Sequence, residues 1–83
     1  MMKNRVTIYS RPGCHLCEEA KAVLAASGCD MEIEEIDIDQ DASLYDRYKY
    51  DIPVILINGV KAFKHRVDAR EFIKKFRRLS LSD

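Results

Sequence analysis

The chain has 83 residues, 47% of them hydrophobic, and its fourteen bases balance its fourteen acids. A chain of this length suits one small domain over 1–83 with a modest core, and its zero net charge argues against a nucleic-acid partner. No apolar run comes near the roughly 20 residues that cross a bilayer, which argues against a membrane partner, and three cysteines, an odd number, argue against a disulfide framework.

The start, Met1-Met2-Lys3-Asn4-Arg5, leads straight into a β-prone run without a signal-peptide apolar segment. The expectation is a cytoplasmic protein. There structural disulfides are rare, and neighbouring cysteines serve catalysis or metal binding. Val6–Ser10 reads as the first strand, bounded by Pro12-Gly13. Residues 15–27 read as a helix, with Leu16, Ala20, Val23, Leu24 and Ser27 on one face. Glu18 and Glu19 fall in its first turn, and Gly28 suits the position after its end. Met31, Ile33, Ile36 and Ile38 mark a second strand whose alternation slips once, so a bulge or an early end is expected. Asp41 is a candidate N-cap for a short helix over 42–50 with Leu44, Tyr45 and Tyr48 as its apolar face.

Asp51-Ile52-Pro53 breaks that helix. Val54-Ile55-Leu56-Ile57 is apolar throughout, as a central strand covered on both faces is. Asn58-Gly59 signals a two-residue hairpin, and Val60–Lys64 returns as an edge strand carrying lysines. Asp68 and Glu71 form a capping-box pattern. Phe72, Ile73, Phe76 and Leu79 or Leu81 supply the buried stripe of a last helix, whose bases suit its C-terminal end. The order is β-α-β-α-β-β-α. A right-handed crossover makes the first two strands parallel and the hairpin makes the last two antiparallel, giving an α/β protein with a mixed four-stranded sheet and helices on both faces.

The chemistry concentrates in Arg11-Pro12-Gly13-Cys14-His15-Leu16-Cys17, at the junction of the first strand and helix. A cysteine at a helix N-terminus meets unpaired N–H groups and the positive end of the dipole, which favour the nucleophilic thiolate. Cys14 is therefore the candidate nucleophile. Arg11 favours its ionisation, and Glu18 and Glu19 oppose it. Cys17, one turn on, is the candidate resolving thiol. His15 offers a second cation. Cys29 stands at the far end of the helix and is read as a buried structural cysteine. A metal or iron–sulfur module is the weaker alternative, because no second C-x-x-C accompanies the pair and a structural zinc site takes four ligands. A non-catalytic interaction domain is another.

Charge is unevenly spread. Residues 30–51 hold nine acids against Arg47 and Lys49, whereas residues 52–83 hold eight bases against three acids. Solvated faces explain this, and a basic face that attracts an anionic substrate is the functional version.

The stretches Ile8–Cys17, Asp51-Ile52-Pro53-Val54 and Ile57-Asn58-Gly59 together resemble the glutaredoxin-like branch of the thioredoxin superfamily, and the likeness covers nearly the whole chain. The resemblance implies a thioredoxin-like fold, a sheet order of second, first, third and fourth strand, and a cis peptide before Pro53 close to Cys14. It implies thiol–disulfide exchange by a monomer with no bound cofactor or metal, acting on protein thiols or with glutathione as co-substrate. It also makes Ile52 and Pro53 substrate-binding, with the Ile52 backbone N–H and C=O pairing with an extended thiol peptide, and it gives Asp68 a part in holding glutathione. Two departures stand out. His15-Leu16 replaces the usual Pro-Tyr, and His65-Arg66-Val67 stands where glutaredoxins carry Gly-Gly before the aspartate.

Overall fold

The structure, a computed structural model, describes residues 3–81. Met1, Met2 and the last two positions of the 1–83 domain reading lie outside the described residues. Strand β1 (Arg5–Ser10) leads into helix α1 (His15–Ala26), then β2 (Glu32–Asp37), a 3-10 turn (Ile38–Gln40), α2 (Ala42–Tyr48), β3 (Val54–Ile57), β4 (Val60–Lys64) and α3 (Ala69–Leu79). The sheet order is β2-β1-β3-β4, with β1 parallel to β2 and antiparallel to β3, and β3 antiparallel to β4.

Each element follows from its residues. The apolar run Val54–Ile57 sits between β1 and β4, and Val54, Ile55 and Ile57 have no exposure. On one face of the sheet Val6, Ile8, Ile55 and Ile57 pack against Ala20 and Leu24 of α1 and Phe72 and Phe76 of α3. On the other, Val54 joins Ile38 and Tyr48, with Leu44 and Tyr45 of α2 packed against them. Burying one such large apolar side chain contributes roughly 1.5–3 kcal/mol. The hairpin is of the primed kind, with Asn58 at φ 50° and Gly59 at φ 85°. The Asn58 side chain also accepts from the Arg5 amide at 2.9 Å and donates to the Leu79 carbonyl at 2.9 Å, tying three elements together.

Several boundaries differ from the sequence expectations. The slip in the β2 pattern is an early strand end. Pairing with β1 runs without a bulge from Glu32 to Asp37, and Ile38 turns inward in the 3-10 turn, fully buried. β2 is an edge strand, and its Ile33 is 47% exposed. Helix α2 stops at Tyr48 rather than 50. Of the two candidates for the end of the α3 stripe, Leu79 packs against the core and Leu81 is exposed. Cys29 is half-buried at the core margin rather than enclosed.

Candidate active site

β1 ends at Ser10, only 3% exposed, and the chain leaves the sheet through Arg11-Pro12-Gly13. Gly13 has a φ of 79°, a left-handed conformation open to glycine at no steric cost. It turns the chain so that the Cys14 amide donates to the Arg11 carbonyl at 3.3 Å. Cys14 is extended, at φ −84° and ψ 109°, and caps α1 with its own side chain, Sγ accepting from the Cys17 amide at 3.2 Å. Its carbonyl accepts from the Glu18 amide at 3.2 Å, closing the first turn.

Cys14 and Cys17 are joined as a disulfide across a Cα–Cα distance of 5.2 Å, within the usual range for such a bond. The two sulfurs differ in access. Cys14 is partly exposed, whereas Cys17 is 1% exposed. A partly exposed sulfur backed by a buried partner at a helix N-terminus can exchange electrons with an incoming thiol or disulfide through one sulfur at a time.

The remaining predicted site residues divide between two depressions. Arg11 and Ile52 border a cleft of about 250 Å³ together with Pro12, Gly13 and Cys14. Pro53 follows Ile52 through a cis peptide, as the resemblance implies, and is fully buried. Asp68 lies elsewhere. It caps α3 by accepting from the Glu71 amide at 3.0 Å and lines a second groove of about 250 Å³ with Leu16, Ala20, Val23, His65 and Arg66. His15 is exposed on the first residue of α1 and borders neither.

Two expectations change in detail. The Ile52 amide donates to the Tyr48 carbonyl at 3.2 Å, so the turn after α2 uses the N–H that the resemblance expects to pair with a substrate backbone. Arg11 does not face Cys14 as an unattached cation. Its Nε stands 3.1 Å from Asp39 Oδ1 as an ion pair without hydrogen-bond alignment, and its guanidinium lies 5.3 Å over the Tyr45 ring. Where the resemblance expects Gly-Gly, His65 adopts a φ of 69° and its amide reaches the carbonyls of Asp51 at 3.1 Å and Pro53 at 2.9 Å. The glycine-like backbone is kept, but a side chain is mounted on it.

Sequence reasoning missed Ser10, Lys21 and Glu35. The Ser10 hydroxyl donates to Glu35 Oε2 at 2.8 Å, and Lys21 Nζ lies 3.1 Å from the same oxygen and 2.7 Å from Glu18 Oε2. The Ser10 hydrogen bond, aided by Lys21, holds the Glu35 carboxyl below its ordinary value. The i,i+3 spacing of Glu18 and Lys21 was visible, but Glu35 joins them only through the β1–β2 register, which sets it opposite Ile8. Among the described residues, no three His, Cys, Asp or Glu side chains gather as metal ligands.

Comparison with known proteins agrees with this geometry. Residues 5–77 match the family described as "Glutaredoxin-like domain (DUF836)". The chain is 37% identical over 71 residues to the "Glutaredoxin-like protein YDR286C homolog" of Dictyostelium discoideum, an alignment covering 76% of this chain and 66% of that protein, so the chain spans just under two thirds of that relative's length. Its fold superposes on a structural-genomics target protein from X. campestris with a TM-score of 0.79 at 27% identity, covering 88% of this chain and 96% of that one. A mutant thioredoxin from Halobacterium salinarum superposes with a TM-score of 0.66 at 16% identity over 98% of this chain and 78% of that one, a likeness of fold alone. The chain belongs to the glutaredoxin-like domain family of the thioredoxin superfamily.

Proposed function

We propose that the protein is a thiol–disulfide oxidoreductase. The observation that carries this reading is the disulfide of an accessible Cys14, capping α1, with an enclosed Cys17. In the reduced protein the Cys14 thiolate attacks one sulfur of a substrate disulfide and expels the other as a thiolate, leaving a mixed disulfide. Cys17 then loses its proton and attacks Cys14 Sγ. The second substrate thiol departs, and the Cys14–Cys17 disulfide holds the oxidised state. Two electrons pass from the dithiol to the substrate, and an external thiol reductant restores the pair. The cleft of Arg11, Cys14 and Ile52 receives the substrate sulfur, and the Ile52 carbonyl accepts from its backbone. The chain would work as a monomer in the reducing cytoplasm, with no resident cofactor or metal.

For the partner, a protein or another thiol compound is favoured over glutathione. Glutaredoxin glycines let a ligand backbone approach closely, and here the His65 side chain and the exposed Arg66 occupy that place beside Asp68. The test compares hydroxyethyl-disulfide reduction driven by glutathione and its reductase with protein-disulfide reduction driven by thioredoxin reductase. Weak turnover in the first assay is expected. Robust turnover there restores ordinary glutathione use, and no turnover with any thiol donor contradicts the oxidoreductase reading.

A further inference from the structure

Lys21 sits about two turns along α1 from Cys14 and about one from Cys17, and its ammonium is shared by two carboxylates. It lies 2.7 Å from Glu18 on its own helix and 3.1 Å from Glu35 on β2. Glu18 is one turn from Cys14, its amide bonded to the Cys14 carbonyl at 3.2 Å. Glu35 is fixed by Ser10, the last residue of β1 before the active-site loop. Together these groups border a cleft of about 310 Å³ whose other wall is Arg11-Pro12. The Lys21 ammonium is held above its ordinary value, by Glu18 first and Glu35 second, and Glu35 is held below its own by the Ser10 hydrogen bond first, so Lys21 and Glu35 both stay charged near neutral pH. With Lys21 the three side chains carry one net negative charge; without it they carry two.

We propose that Lys21 is a positioning residue for the nucleophile: by engaging Glu18 and Glu35 it keeps their charge from opposing ionisation of Cys14 at the same end of α1. The inference rests on the redox reading of the pair. Negative charge near a thiol disfavours the thiolate, and the other charges around this end do not replace Lys21. Arg11 is already paired with Asp39 from the 3-10 turn. Asp37 of β2 borders the same cleft and adds to the acidic side. On α1, Glu19 faces the second groove with His65, Arg66 and Asp68 of the β4–α3 loop, and His15 is exposed at the helix start. Asp51 precedes Ile52 on the far side of the Cys14 cleft.

The experiment follows alkylation of Cys14 against pH in the reduced full chain, with the modified residue mapped by mass spectrometry. Lys21→Gln is expected to slow the reaction near pH 6 by about three- to tenfold, with the alkaline plateau unchanged; exposure keeps the effect in this range. Lys21→Arg should keep the wild-type profile, and Glu18→Gln added to Lys21→Gln should move it back toward wild type. A Lys21→Gln profile that superimposes on wild type overturns the proposal. If Lys21→Gln does not fold, Lys21→Met decides in its place: slower alkylation near pH 6 supports the proposal, and a rate equal to wild type or faster overturns it. The readout is a titration, so it separates from turnover. A pair inert toward disulfides with a shifted profile would remove the redox reading alone, and an active pair with an unshifted profile would remove this inference alone.

Discussion

On the side of the cysteine pair facing β2 and α2, the bases are held by acids: Arg11 by Asp39, and Lys21 by Glu18 and Glu35. On the side facing α3, His65, Arg66 and Asp68 stand around an apolar floor of Leu16, Ala20 and Val23, and among the described residues no ion pair engages His65 or Arg66. The contrast separates two tasks. On the first side each base is paired with acids, and by the proposal above that pairing sets the electrostatic background of Cys14. The second presents unmatched donors to whatever enters the groove, and is where partner preference would be decided.

The largest effect is expected where the two sides meet. Cys17→Ser leaves Cys14 and both flanks in place but removes the resolving sulfur. Turnover on a protein disulfide should fall by on the order of 100-fold or more, and mass spectrometry should find the substrate held on Cys14. Wild-type turnover by this variant would show that the buried sulfur has no part in exchange.

Helix caps sharpen the comparison next. Asp41, on the α2 side, accepts from the Ser43 and Leu44 amides and the Ser43 hydroxyl at 2.9, 3.2 and 2.7 Å, whereas Asp68 accepts from the Glu71 amide alone. Asp68→Ala should cost about 1 kcal/mol in urea unfolding, and Asp41→Ala should cost more. The reverse order would mean that α3 depends on its cap more than its packing suggests.

Much of this was open to sequence reasoning. Element order, central β3, the Asn58-Gly59 hairpin and the Asp41 and Asp68 caps follow from local patterns that tertiary packing did not override. The position of Cys14 at the start of α1 follows from Pro12-Gly13 alone. What escaped depends on register or on competition for one group. Glu35 meets Ser10 and Lys21 because β2 pairs with β1 at one particular offset. Arg11 has a choice of Cys14 or Asp39, and only the folded 3-10 turn brings Asp39 within 3.1 Å. The Ile52 amide is engaged by a turn whose closure on Tyr48 no periodicity announces.

A smaller effect is expected at His65. A non-glycine side chain at φ 69° is strained, and its removal relieves that strain at the expense of a more flexible unfolded chain. His65→Gly should therefore raise stability by up to about 1 kcal/mol, while making room in the α3-side groove for a closer ligand. A loss of stability would mean that the imidazole makes contacts that outweigh the strain.

The smallest effect is in acid. The folded-state values of Glu35 and Asp41 are depressed below the ordinary 4.5 and 3.8. Their stabilisation is present above those ordinary values and is lost as pH falls through the lower folded ones. Urea midpoints should drop across that window, and Glu35→Gln should make the drop shallower. Because Glu35 is 42% exposed, the difference should be slight and should shrink with added salt.

The central claim is that Cys14 is the attacking sulfur, and limited alkylation of the fully reduced wild-type chain at mildly acidic pH tests it most directly. With reagent below one equivalent, mass mapping should place the label on Cys14, the partly exposed thiol that caps α1, ahead of enclosed Cys17 and of Cys29 at the core margin, away from the helix start. Label appearing first on Cys29, or equally on all three, would contradict the account.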